Sequence, residues 1–107
     1  MTKDELTAWA MASGWTMAAG HPSLMKPSMK AGKPKEPVIR MVLKATVVHI
    51  EAKKPAGKWE KFSGAAYAEV LPDEETGVPL GLGFETFPGF RMLMQENKDR
   101  LVFARMG

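Results

Sequence analysis

A chain of 107 residues with 45% hydrophobic and 25% charged side chains suits one globular domain, in which about two-thirds of the unfolded surface is buried in a single core. It contains no cysteine, which excludes disulfides and thiolate chemistry and suits a reducing compartment. The net charge of +3 is unevenly spread: residues 1–25 hold one base and two acids, residues 26–61 ten bases and three acids, and residues 62–107 four bases and seven acids. The middle third therefore carries a balance of +7, which suits either an anionic partner or a solvated basic face. Met1-Thr2-Lys3-Asp4-Glu5 places acids where a signal peptide needs bases, and no apolar run nears the length of a membrane span. A cytoplasmic protein without a membrane partner is expected.

Thr2-Lys3-Asp4-Glu5 fits a capping box, and Leu6, Trp9, Ala10, Ser13 and Met17 then fall on one helical stripe. The spacing predicts a helix from about residue 3 to 13, with Gly20-His21-Pro22 setting an outer limit at 19. Residues 20–37 contain Pro22, Pro27, Pro34 and Pro37 and read as a Pro/Lys-rich connection that forms no central strand.

An antiparallel sheet is expected over residues 38–106. In 38–50 the nearly all-apolar set Ile39, Met41, Leu43, Ala45, Val47 and His49 should face the core, with Arg40, Lys44 and Ile50 on the mixed face. In 58–71 the corresponding sets are Phe62, Gly64, Ala66, Ala68 and Val70 against Trp59, Lys61, Ser63, Tyr67 and Glu69. A hairpin loop at Lys53–Gly57 then pairs Val47 with Phe62, Ile39 with Val70, Arg40 with Glu69, Val42 with Tyr67 and Ile50 with Trp59.

Pro72–Gly77 reads as an acidic turn, and residues 78–85 as a third strand with one face nearly bare. After Pro88-Gly89, a terminal hairpin is expected around Glu96-Asn97-Lys98-Asp99, although residues 93–105 also fit a helix. The whole is an α+β domain: an N-terminal helix packed on a mostly antiparallel meander of roughly five strands. Its element order resembles the cystatin-like arrangement, a likeness of order alone that implies no function.

The catalytic inventory is sparse, and a non-enzyme is expected. His21 and His49 are the only histidines, neither at ligand spacing from a partner, and no metal or cofactor is expected. Asp73-Glu74-Glu75 is best explained as a solvated turn. Gly81-Leu82-Gly83 lacks the third glycine and the strand-to-helix context of a phosphate loop.

One constellation stands above background. Lys53, Lys54 and Lys58 crowd the hairpin loop, and Arg40, Lys44 and Lys61 join Trp59 and Tyr67 on the face opposite the core set. Cations interleaved with aromatics hold phosphates while bases stack, which points to nucleic acid. The competing structural role is a second small core around Trp59 and Tyr67. A second functional class also stays open: an adaptor or inhibitor of another protein, or a homodimer, acting through a sheet edge or a patch of Met and Trp. Nine methionines, Met25 and Met29 among them, fit either core filling or such a patch.

Overall fold

A computed structural model describes residues 1–27 and 35–106, the last four of these by their backbone alone. The α+β expectation holds: a helix leads into a five-stranded antiparallel meander, and a second helix closes the chain. Helix α1 spans Lys3–Ala12. Thr2 Oγ1 accepts from the N–H of Glu5 at 3.1 Å, while the Glu5 carboxylate accepts from the N–H of Thr2 at 2.9 Å. That reciprocal pair is the capping box read from the sequence. The helix stops at Ser13 because Gly14 turns the chain at φ +95°, so the stripe does not reach Met17.

The meander comprises β1 (Thr16–Ala18), β2 (His21–Pro27), β3 (Lys35–Leu43), β4 (Val47–Lys53) and β5 (Trp59–Ala66), adjacent in that order. Here the connection expected over 20–37 is corrected, since residues 21–27 form a strand between β1 and β3. Its prolines fall where a missing N–H is tolerated: Pro22 one residue inside the strand opposite the three-residue β1, and Pro27 at its end. Residues 28–34, including Met29, Lys30 and Lys33, lie outside the described residues.

The long strand expected over 38–50 is also corrected. The chain turns at Lys44-Ala45-Thr46, with the Lys44 N–H donating to Val47 O at 2.9 Å. Ile39 pairs with Ala52, Arg40 with Glu51 and Met41 with Ile50. The next hairpin pairs Val47 with Ala66 and Lys53 with Trp59, across an irregularity at Ile50/Glu51. The expected pairs of Arg40 with Glu69 and of Ile50 with Trp59 therefore do not form. The turn inverts the alternation, so the buried residues are Ile39 and Met41 before it and Val48 and Ile50 after it.

Past β5, a 3₁₀ turn (Tyr67–Glu69) leads to the short ribbon of β6 (Leu71–Pro72) and β7 (Pro79–Leu80). The third strand expected over 78–85 ends at Leu80, because Gly81 and Gly83 adopt φ of +98° and +72° and lead into a second 3₁₀ turn, Phe84–Thr86. The terminal hairpin is replaced by α2 (Phe90–Met106). Phe90, Leu93, Met94 and Asn97 recur at helical spacing on its packed side, while Met92 faces out.

Both helices and the 67–90 segment cover one face of the sheet. Leu6, Ala10, Trp15, Leu24, Ile39, Met41, Val48, Ile50, Val70, Leu82, Phe84 and Leu93 form the core. Phe84 is its aromatic hub, stacked on Phe90 at 4.5 Å and Trp9 at 6.1 Å, and tilted against Trp15 at 6.0 Å.

Asn97 locks α2 to the sheet. β1 pairs with β2 only as far as Ser23, and at Met25 the buried Asn97 amide takes the place of a strand. Its Oδ1 accepts from the Met25 N–H at 2.9 Å, and its Nδ2 donates to Met25 O at 3.1 Å and Leu93 O at 2.8 Å. The close approach requires glycine at position 14, where a Cβ would lie 2.7 Å from the Asn97 carbonyl and the Lys98 nitrogen.

Candidate functional site: the open face of the sheet

Antiparallel alternation places Arg40 and Val42 of β3, His49, Glu51 and Lys53 of β4, and Trp59, Lys61 and Gly64 of β5 on the face turned away from the core. These residues are half-buried or exposed, and no described helix packs on them.

At the centre lies a stack of three side chains. Glu51 Oε1 accepts from Arg40 Nε and Nη2, each at 2.7 Å. Glu51 thereby holds the guanidinium over the Trp59 ring, 4.1 Å from its centroid, in a cation–π contact worth about 0.5–2 kcal/mol. Lys53 Nζ stands 6.0 Å from the same centroid. Arg40 is therefore a neutralised brace for the aromatic platform, while Lys53 and Lys61 have no ion-pair partner among the described residues.

The sequence-predicted residues divide accordingly. Arg40, Lys53, Trp59 and Lys61 do come together. Lys44 sits at the β3–β4 turn, at one end of the face. Lys54 and Lys58 lie in the loop at the other end, where the Lys54 N–H donates to Lys58 O at 2.8 Å and Lys54 Nζ pairs with Glu60 at 3.3 Å. A shallow depression of about 290 Å³ beside that loop is lined by Glu36, Val38, Lys53, Lys54, Pro55 and Gly57.

Tyr67 does not join Trp59, contrary to the sequence reading. β5 ends at Ala66, and the 3₁₀ turn carries Tyr67 against the core, its hydroxyl donating to Lys44 O at 2.6 Å. It ties the β3–β4 turn in place. Burial raises the Tyr67 phenol above its ordinary pKa.

Two members of the face escaped the sequence reading. Glu51 carries no signal of its own in the sequence. His49 was assigned to the core set, but the inverted alternation after residue 46 brings it outward, opposite Gly64. The signal was present in Val48 and Ile50, which carry the apolar pattern beyond the turn. Desolvation, followed by the charges of Lys61 and Lys44, holds His49 below the usual imidazole range, with Glu51 opposing.

The acidic segment forms a turn, as expected. Asp73 Oδ1 accepts from the N–H groups of Glu75 and Thr76, both at 2.9 Å. These backbone bonds hold its carboxyl below the usual range. Met25 is buried and Met29 lies outside the described residues. Among the described residues no three His, Asp or Glu side chains converge on a point able to hold a metal ion. No described helix is long and apolar enough to cross a membrane.

No known family, curated protein or solved structure matches this chain.

Proposed function

We propose that the chain is a non-catalytic binding protein that holds single-stranded nucleic acid on the open face of β3–β5, in a cytoplasmic setting. The observation that carries this reading is a face that no described helix covers, where Trp59 is braced by Arg40 and flanked by Lys53 and Lys61. An antiparallel face of this kind lets phosphates meet lysines while a base stacks on the indole. Lys44 at one end and Lys54 and Lys58 at the other extend the track for the backbone.

The test is binding of a labelled single-stranded oligonucleotide at about 50 and 200 mM salt. Three phosphate contacts on a single strand give about a twentyfold loss of affinity across that range. Absence of binding at the lower salt would overturn the proposal.

A second reading, a protein-interaction adaptor or inhibitor, is favoured by one feature elsewhere. Leu71 and Leu80 face each other across the β6–β7 ribbon and stay 62% and 49% exposed. They border a shallow depression of about 600 Å³ with Pro72, Asp73, Glu74 and Glu75. An apolar pair beside three acids suits a partner segment that is basic and apolar. On this reading, Leu71→Ser with Leu80→Ser abolishes partner binding and leaves oligonucleotide affinity unchanged.

A further inference from the structure

We propose that Met94 is an oxidation site whose conversion to the sulfoxide loosens α2 from the core, a device that lies apart from the open face and does not depend on its function. Trp15 follows the Gly14 turn and is buried, so its indole N–H needs a partner inside the molecule. That partner is a thioether: Trp15 Nε1 donates to Met94 Sδ at 3.1 Å. Met94 lies on the packed side of α2, against the core and one turn from Phe90, yet it is only partly buried.

The methionines differ in what oxidation would do to them. Met92 and Met17 are 70% and 51% exposed, so a sulfoxide there alters the surface alone. Met25 and Met41 are buried and closed to a solute. Met94 stands between these cases, at the rim of the core, where a small oxidant meets a sulfur that the fold is using. The co-reactant is a peroxide. One lone pair of Sδ holds the indole N–H, and the other attacks a peroxide oxygen. The S–O bond forms as the O–O bond breaks, sulfur gives up two electrons, and the transferred oxygen yields its proton to the departing hydroxide, which leaves as water. The product is polar where the thioether was apolar, and methionine sulfoxide reductase returns it. At 3.1 Å the gap between Nε1 and Sδ has no room for an added oxygen, because an N–H···O bond alone spans about 2.9 Å. Either the sulfur withdraws and carries α2 outward, or the oxygen turns to solvent and the buried N–H keeps a poorer acceptor. Both weaken the junction that Asn97 secures on the next turn.

The experiment treats the full chain with hydrogen peroxide and maps the oxidised methionines by peptide mass spectrometry. The urea midpoint and the indole N–H signals of the three tryptophans are followed alongside, with Trp15→Phe assigning that of Trp15. Met92 and Met17 should oxidise first and leave stability unchanged. As Met94 converts, the Trp15 signal should move and the unfolding equilibrium constant should rise about fivefold or more, as for a buried donor losing its partner. Met94→Leu should be less stable from the outset and lose this response, while Met92→Leu keeps it. Met94 that stays unoxidised after Met92 is fully converted overturns the proposal. A Met94 sulfoxide that moves neither the Trp15 signal nor the urea midpoint overturns it too. The peptide map and the midpoint are read on the parent chain, so they decide the matter even where a variant fails to fold.

Discussion

The two faces of the five-stranded sheet come from the same strands by alternation, yet they differ in almost every physical respect. On the inner face Ile39, Met41, Val48 and Ile50 are fully buried beneath both helices and the Phe84 cluster. On the outer face Arg40, His49, Glu51, Lys53, Trp59 and Lys61 are polar or aromatic and reach solvent. The contrast separates two tasks, because a residue on one face contributes to stability while its sequence neighbour is free to meet a ligand. Substitutions should therefore fall into two classes with little overlap.

The largest effect is expected at the aromatic hub. Phe84→Ala should cost about 3–5 kcal/mol of unfolding free energy in urea, because it removes a buried ring and its stacking partners. Affinity for an oligonucleotide, measured on the folded fraction, should not change; a parallel loss of affinity would break the division between faces. Next come the contacts that seat α2. Gly14→Ala meets backbone at 2.7 Å and a φ of +95°, and should cost about 2–4 kcal/mol. Asn97→Ala strips the Met25 N–H of its buried partner, while the Met25 carbonyl keeps the bond from Arg100 Nη1 at 3.1 Å, and should cost about 2–3 kcal/mol. Chemical denaturation of each variant measures these losses.

Between the faces in magnitude stands Arg40→Ala. It frees Glu51 and uncovers the Trp59 ring, so it should cost about 1–2 kcal/mol and also lower oligonucleotide affinity by a fewfold. It is the one position where the two classes should overlap, and a purely structural effect would narrow the binding face to its lysines. Thr2→Ala removes the helix cap for about 1 kcal/mol. The Thr2 bonds hold the Glu5 carboxyl below its ordinary value of 4.5. The Glu5 contribution is therefore complete above that value and lost as pH falls through the lowered one. Thr2→Ala keeps the backbone N–H that gives Glu5 the larger share of this effect and removes only the hydroxyl's, so it should flatten the acid limb of the stability profile in part, as read from urea midpoints at successive pH values.

How far the sequence could be read depends on what marked each boundary. The capping box at Thr2 and Glu5 is local chemistry, so the start of α1 was legible, while its end was bracketed only between residues 13 and 19, because Gly20-His21-Pro22 is a stronger stop signal than the single Gly14 that ends it. The β3–β4 turn was not, because Lys44-Ala45-Thr46 contains neither glycine nor proline, and the hydrophobic alternation runs up to it on both sides. Reading through it shifted every pairing of the central hairpin. Pro22 disguised β2, since a proline opposite a three-residue edge strand loses little. Glu96-Asn97-Lys98-Asp99 looked like a turn because Asn97 is polar, yet its amide is buried in the role of a strand.

The shared face of Arg40, Trp59 and Lys61 survived the wrong register for a simple reason. The side assignments of Arg40, Trp59 and Lys61 depend only on alternation within short stretches that are in fact strands. Tyr67 was lost because β5 ends one residue before it, and His49 was missed because it lies beyond the unmarked turn. Glu51, which braces Arg40, became visible only with the true pairing.

The measurement that tests the central claim most directly is made on the Lys44→Ala/Lys53→Ala/Lys61→Ala variant. Its affinity for a labelled single strand at about 50 mM salt is set beside its unfolding free energy. The open-face account predicts at least a tenfold loss of affinity, with stability within about 0.5 kcal/mol of the parent chain. Unchanged affinity in a variant that stays folded would contradict it.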